Sequence, residues 1–241
     1  MSAVDADPVA RERAQAAAAS VRHPLTVLLL TLTFSTGLVD AVSYLGLGHV
    51  FSANMTGNVV LLGFGIAGRY DLPVVAPIVS LMAFLAGAVL GGALSRRTAH
   101  RHRAHLGTAL AAEVALLAAA ALLTTIAAIR PDAASGDLVI GLLALAMGIR
   151  NATVRRIGVP DLTTTVLTLT LTGLAAELRH LRANPHAPGR RLLAVLAMLT
   201  GALVGALLLR TSRSWVLALA AALAVITGAR YLSHPSSAQP A

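Results

Sequence analysis

Eight apolar runs fill most of this 241-residue chain and set narrow limits on its fold. Several are about 20 residues long, enough for a helix to cross a ~30 Å hydrocarbon core. Charged residues make up 12% of the chain, about half of what a soluble domain carries. The sequence therefore predicts an all-α, polytopic helical membrane protein, with apolar runs at 25–46, 52–68, 72–94, 106–129, 138–154, 157–178, 191–209 and 214–231.

The charged and reactive residues exclude several functions. All 19 basic residues are arginines, and apart from Arg150 they lie between the apolar runs or at their ends, which is typical of the flanks of membrane spans and not of a nucleic-acid-binding surface. The chain has no cysteine, which excludes disulfides and thiolate metal sites. Because no Ser-His-Asp set, H-E-x-x-H or Walker motif occurs, the sequence predicts no enzyme, no cofactor and no metal site.

The two halves of the chain resemble each other at three places, in the same order. The sequence offsets between the matched segments are similar, which favours an internal duplication. We predict a single transmembrane domain at 24–232, between disordered tails at 1–23 and 233–241, with repeat A at about 24–129 and repeat B at about 138–231. The matches are residues 37–41 with 148–152, Asn54-x-Thr56 with Asp161-x-Thr163, and Gly87-x-x-x-Gly91 with Gly201-x-x-x-Gly205.

The positions of the arginines predict the topology. Cytoplasmic flanks of spans carry the excess of positive charge. If all eight runs cross the membrane, the arginines outside the runs divide almost evenly between the two sides. If 52–68 and 157–178 enter and return, only Arg69, Arg130, Arg210 and Arg213 lie outside. We therefore predict six spans plus two short re-entrant or half-membrane helices, with both termini cytoplasmic and the 3+3 repeats inverted.

Both short runs begin with a polar segment, and these two segments are the candidate binding site. A helix N-terminus inside the membrane offers free N–H groups and the positive end of a dipole. Paired, interrupted helices of this kind mark substrate sites in transporters, so a small polar solute is the expected ligand. Helix capping alone is the alternative interpretation. The residues are Asn54, Thr56, Gly57 and Asn58 in the first segment, and Asp161, Thr163, Thr164 and Thr165 in the second.

Three further polar residues lie within predicted spans. Asp40 is about 15 residues into the first span, and an intramembrane carboxylate is by default a functional candidate. Arg150 can pair with Asp40 or Glu113, attract an anion, or lie at the cytoplasmic end of its span as an anchor. Asn151, the repeat mate of Asp40, can form hydrogen bonds between helices. We include Asp40, Arg150 and Asn151 in the candidate site.

The glycine pairs Gly87/Gly91 and Gly201/Gly205 each place small residues on one face of a helix. Such faces let helices approach closely. Packing within the chain is the favoured interpretation, and a homo-oligomer formed through these faces is the alternative.

The stretches FSTGLVDAVSYLGLGHVFSANMTGNVVLLG and MGIRNATVRRIGVPDLTTTVLTLTLTG resemble the YoaK-like family of bacterial transmembrane proteins. This resemblance covers most of residues 25–231 and implies a multi-pass protein of the bacterial inner membrane. It implies no activity and no site residues. From the residues themselves, the leading hypothesis is a small-solute transporter or channel, coupled to protons if Asp40 or Asp161 titrates. The alternative is a membrane scaffold or assembly factor.

Overall fold

The computed structural model describes residues 24–68, 72–97, 102–131, 133–157, 168, 170–172, 175 and 187–233. These residues form helices and no strand. A π-helical turn, Tyr44–Gly48, continues the first helix. The α-helices are α1 Pro24–Ser43, α2 Met55–Ile66, α3 Val75–Arg97, α4 His102–Ile126, α5 Ala134–Ile157, α6 Ala187–Leu208 and α7 Arg213–Ser233.

Six of these helices are long and apolar enough to cross a membrane: α1 with its π-helical turn, and α3 to α7. Helix α2 has 12 residues, or about 18 Å of length, which falls short of a ~30 Å hydrocarbon core. The structure thus confirms an all-α polytopic fold with six spans and a short apolar helix. The second predicted short helix, at 157–178, lies mostly outside the described residues.

Helix α1 lies at the centre of the bundle, and α3 and α6 lie at its periphery. The α1 span is 78% buried within the chain, whereas the α6 span is 17% buried. Large apolar side chains such as Val89 on α3 and Leu199 on α6 are exposed. Because such apolar surface is unfavourable in water, these outer faces fit a lipid environment.

Two close helix pairs join the halves of the chain at matched positions. Gly201 on α6 packs directly on the carbonyl oxygen of Phe34 on α1, and Gly205 packs against Leu38. In the other pair, Gly87 on α3 packs directly on the carbonyl oxygen of Leu145 on α5. The two helices of each pair run parallel, because the numbers of the contacting residues increase together on both helices. In the α3–α5 pair, the contact that follows Gly87 with Leu145 is Gly91 with Ile149.

The contacting residues of the two helix pairs are separated by the same sequence offsets that relate the two halves of the chain. Leu145 follows Phe34 by 111 residues, and Gly201 follows Gly87 by 114. Both glycine faces are therefore occupied inside the chain, as the packing interpretation predicted. The alternative, a homo-oligomer formed through these faces, finds no support here, since α1 and α5 already cover them.

Helices α1 and α5, the first helices of the two halves, run antiparallel. Arg150, late in α5, donates a hydrogen bond to Leu32, early in α1. Gly136, at the start of α5, lies beside Leu47, which follows α1: a Cβ built on Gly136 would be 3.4 Å from the Leu47 carbonyl oxygen. We call the two ends of the bundle the Leu47 end and the Leu25 end. Helices α4 and α7 are also antiparallel, since Arg103 donates a hydrogen bond to the Leu232 carbonyl oxygen (2.9 Å).

Buried side chains form one core toward each end. The core at the Leu25 end is made of leucines from α1 and α4, closed by Val154, Ala194 and Ala224. The larger core extends toward the Leu47 end and includes Leu38, Leu117, Leu143, Met147 and Leu217. The candidate polar residues lie along α1 between and beside these two cores.

Candidate functional site

The chain turns back into the bundle after the π-helical turn. His49 adopts a left-handed conformation (φ 54°) where that turn ends. Residues 49–53 then return along α1, and the backbone N–H groups of Ser52 and Ala53 both donate to Oδ1 of Asp40 at 2.9 Å. Asp40 lies seven residues before Leu47, so this contact is about 10 Å from the Leu47 end along the helix.

Helix α2 begins at this depth and runs back outward. Its N-cap is Asn54, whose Oδ1 accepts a hydrogen bond from the Gly57 N–H at 3.3 Å. Asn58, in the first turn, donates to Ser80 on α3, whereas a Cβ built on Gly65, in the last turn, would lie 3.0 Å from the Pro73 carbonyl oxygen, just before α3 begins. Helix α2 therefore returns to the end of the bundle at which the chain entered, as predicted for segment 52–68.

Asn58 is the residue that fixes the returning loop. It is fully buried, and its Oδ1 accepts the Phe51 N–H at 2.8 Å while its Nδ2 donates to the Phe51 carbonyl oxygen at 2.6 Å. Nδ2 also donates to Ser80 Oγ at 3.0 Å, and Ser80 Oγ donates to the same carbonyl at 2.7 Å. The Phe51 ring stacks on Tyr44 at 4.8 Å between centroids. The loop is thus tied to α2, α3 and the π-helical turn.

Asp40 and Ser52 each keep one buried oxygen without a partner among the described residues. Asp40 is 5% exposed and Ser52 is fully buried. Oδ1 of Asp40 accepts two hydrogen bonds, but Oδ2 has none, and neither has Ser52 Oγ. A buried polar atom without a hydrogen bond is costly, so these two oxygens are the least satisfied polar atoms around the returning loop.

Arg150 lies in a second polar cluster, closer to the Leu25 end. Its guanidinium forms an ion pair with Glu113 of α4, in which Nε donates to Oε2 at 3.0 Å and Nη2 donates to Oε1. It also donates to the Leu32 carbonyl oxygen (2.8 Å), Thr36 Oγ1 (2.9 Å) and Ser35 Oγ (3.2 Å) of α1. Both charged side chains are almost fully buried. This cluster ties α4 and α5 to α1.

A small cavity lies beside this ion pair. Its volume is about 10 Å³, and it is lined mainly by leucines of α1 and α4 together with Glu113, Arg150 and Thr153. A cavity of this size holds about one water molecule. It therefore cannot accept a larger solute as the helices stand.

The structure brings some of the predicted site residues together and separates others. Asp40 meets the segment that precedes α2, whereas Arg150 pairs with Glu113 and not with Asp40. Thr56 and Asn54 are exposed, and Gly57 is partly buried. Asn151 donates to the Met147 carbonyl oxygen of its own helix at 2.9 Å. The second polar segment lies outside the described residues: Asp161, Thr163, Thr164 and Thr165.

Ser52, Ser80, Ser35, Thr36 and Glu113 complete the two clusters, and the sequence did not assign them to the site. Glu113 carried a detectable signal, because it is a lone acid in a predicted span and Arg150 is a lone base in another. The serines and threonines carried none. Such residues usually bond to their own helix backbone, and only the tertiary contacts distinguish these from the rest.

Comparisons with known proteins agree with this architecture. A family model described as "Protein of unknown function (DUF1275)" matches residues 28–229. The chain is 34% identical over 152 residues to the UPF0700 transmembrane protein YoaK of Bacillus subtilis (strain 168), and the match covers 63% of this chain. It covers 66% of that relative's length, just under two thirds. No solved structure matches. The chain is therefore a multi-pass membrane protein that belongs to the DUF1275 family of proteins of unknown function.

Proposed function

We propose that this chain is a transporter or channel for a small polar solute, which binds around Asp40 and the N-terminal end of α2. The observation that carries this proposal is the pair of buried oxygens, Asp40 Oδ2 and Ser52 Oγ, that lack partners among the described residues. Ser52 Oγ can accept or donate a hydrogen bond, and Asp40 Oδ2 can accept one or, when protonated, donate one. A small polar solute would satisfy both at the point where a re-entrant helix begins.

The arrangement of the helices supports movement of one half against the other. We propose that the two halves are inverted repeats. In support, α1 and α5 run antiparallel, and each packs closely, at glycines, against the second long helix of the opposite half. Inverted repeats with interrupted helices are a common plan of secondary transporters. Separation along the α1–α6 or α3–α5 contact would open a path toward Asp40.

The location and orientation complete the proposal. We propose the bacterial inner membrane with both termini cytoplasmic, because that orientation places most of the arginines that lie between the apolar runs on the inner side. We propose no catalytic reaction, since the sequence offers no nucleophile with a base beside it.

A membrane scaffold or assembly factor is the second candidate. Asn58 and Ser80 bond to the backbone of the returning loop, and Arg150 bonds to Glu113 and α1. These contacts stabilise the fold without any ligand. The scaffold hypothesis then has to explain Asp40 as a residue that only holds Ser52 and Ala53.

Solute binding can be tested before the solute is known. Small polar compounds are screened for those that raise the melting temperature of the purified protein, because a ligand stabilises the state that it binds. Each compound found is then tested for flux in proteoliposomes with the unaltered protein, Asp40→Asn and Asp137→Asn. The last variant makes the same chemical change at a partly exposed residue in the first turn of α5.

We expect at least a tenfold loss of flux in Asp40→Asn, with the melting temperature and expression retained, and normal flux in Asp137→Asn. Normal flux in Asp40→Asn would contradict the proposed site. If no compound stabilises the protein and none is transported, the scaffold hypothesis is favoured.

A further inference from the structure

We propose that Asp40 carries an exchangeable proton on Oδ2 in the arrangement seen here, and that the proton leaves when residues 49–53 move away and admit water. This inference deepens the proposed function, on which it rests, by naming the proton as the coupling ion. The step is a simple dissociation: the Oδ2–H bond breaks, the electron pair stays on the carboxylate, and the proton passes to water.

The two oxygens of Asp40 have different surroundings. Oδ1 accepts the N–H groups of Ser52 and Ala53. Oδ2 is buried and has no partner among the described residues. An ionised carboxylate in that position would leave charge on an unsolvated oxygen, which is strongly unfavourable. A proton on Oδ2 removes the charge and leaves both bonds to Oδ1 unchanged.

The charged and titratable groups around Asp40 do not replace the proton. Arg150 of α5 is near enough to interact electrostatically with Asp40, but its guanidinium bonds to Glu113 and α1. From α7, Arg213 lies near Gly46, toward the Leu47 end, and donates to a carbonyl there. The π-helical turn and the loop contribute Tyr44 and the exposed His49, and the stretch of α6 that packs on α1 beside Asp40 is apolar.

A metal cation fits this place less well than a proton. Hard cations such as Ca²⁺ take about six to eight oxygen ligands. Among the described residues, the unpartnered oxygens are Asp40 Oδ2 and Ser52 Oγ. A proton needs one oxygen, so the geometry selects it.

The direction of the pH dependence follows from linkage. The carboxylate loses its solvation when the loop covers it and regains it when water surrounds it, so the closed arrangement favours the neutral form. Lower pH therefore stabilises the closed loop, and higher pH favours its opening, by up to about tenfold in the equilibrium per pH unit within the titration range. Asn at position 40 imitates the protonated form and would keep the loop closed at every pH.

Cysteine labelling tests this directly, because the chain has no cysteine of its own. Ser52→Cys places a thiol at a fully buried position in the loop, and Thr211→Cys places one at an exposed position. Dividing the labelling rate at position 52 by that at 211 corrects for the pH dependence of an exposed thiol, and comparison with the Asp40→Asn background isolates the part that depends on the carboxyl group. We expect this ratio to rise with pH, and to stay low and constant when Asp40→Asn is added.

A ratio that does not change with pH, or that changes equally with Asn at position 40, would overturn the inference. The labelling results do not depend on transport. The proton site can therefore be confirmed even if no solute flux is found, and solute flux can be found even if the labelling overturns the proton site.

Infrared spectroscopy gives a second test on the chain with Asp40 in place. We expect the carbonyl stretch of a protonated carboxylic acid at mildly acidic pH, and a shift of this band in Asp40→Glu. Asp40→Asn is expected to remove it, but the Glu variant suffices if the Asn variant does not fold. Absence of the band at mildly acidic pH, or its persistence without a shift in Asp40→Glu, would overturn the inference.

Discussion

At the scale of single residues, the two ionisable side chains of the candidate site, Arg150 and Asp40, differ in how fully their polar atoms are hydrogen-bonded. Arg150 has an ion pair and three hydrogen bonds to α1, whereas Asp40 has one saturated oxygen and one without a partner among the described residues. The sequence identified both as candidates by the same rule, that charge inside a span is costly. It could not separate them, because the partner of Arg150 depends on how α4 packs against α5.

The ion pair predicts a large effect of removing one partner. Glu113→Gln leaves the Arg150 guanidinium buried without its counter-charge, and we expect the free energy of unfolding in detergent to fall by about 3–5 kcal/mol. Arg155→Gln, at an exposed position near the end of α5, is the control and should change stability by less than about 0.5 kcal/mol. Equal effects of the two variants would show that the pair does not stabilise the fold.

The two asparagines of α2 are expected to differ in importance. Asn58→Ala leaves the N–H and carbonyl groups of Phe51 without their side-chain partner inside the bundle, at a cost of about 1–3 kcal/mol. Asn54→Ala removes an exposed N-cap, which costs about 1 kcal/mol. Hydrogen exchange at residues 49–53 should increase more in Asn58→Ala, and the opposite order would be inconsistent with Asn58 as the residue that fixes the loop.

At the scale of helices, length and spacing in the sequence predicted much of the fold. The short run at 52–68 predicted a helix that does not cross, and α2 is short; the glycine spacing predicted packing faces, and both faces are packed. The sequence could not tell which helix covers each face, because a glycine pair describes only its own surface. The depth at which α2 begins depends on Asp40 and Ser80, which are distant from it in sequence.

The glycine contacts predict equal sensitivity in the two halves. A Cβ at Gly87 or Gly201 would meet the backbone of the neighbouring helix, so alanine at either position should destabilise the protein by about 1–3 kcal/mol. Gly92, on α3, has nothing within 4 Å of a built Cβ. Gly92→Ala should be neutral or stabilising by up to about 1 kcal/mol, since alanine favours helix.

Thermal unfolding in detergent measures all three variants under the same conditions. A loss of stability at only one of Gly87 and Gly201 would argue against equivalent contacts in the two halves.

At the scale of the whole molecule, the helix directions agree with the topology predicted from the arginines. Helix α1 is antiparallel to α5 and parallel to α6, as six spans with a non-crossing α2 require. The arginine positions could predict this topology because the cytoplasmic flanks of membrane spans carry an excess of positive charge along the whole chain. It could not reveal the pairing of helices between halves, which arises from packing alone, nor the part of the second half that lies outside the described residues.

Labelling from the two sides of the membrane tests the re-entrant, two-half architecture most directly. Single cysteines are placed at His49, before the returning loop, at Ala67, just after α2, at Thr211, between α6 and α7, and at Ser233, at the end of α7; all four positions are exposed. With an impermeant thiol reagent, we expect positions 49, 67 and 211 to be labelled from one side and position 233 from the other. If positions 49 and 67 are labelled from opposite sides, α2 crosses the membrane and this architecture is wrong.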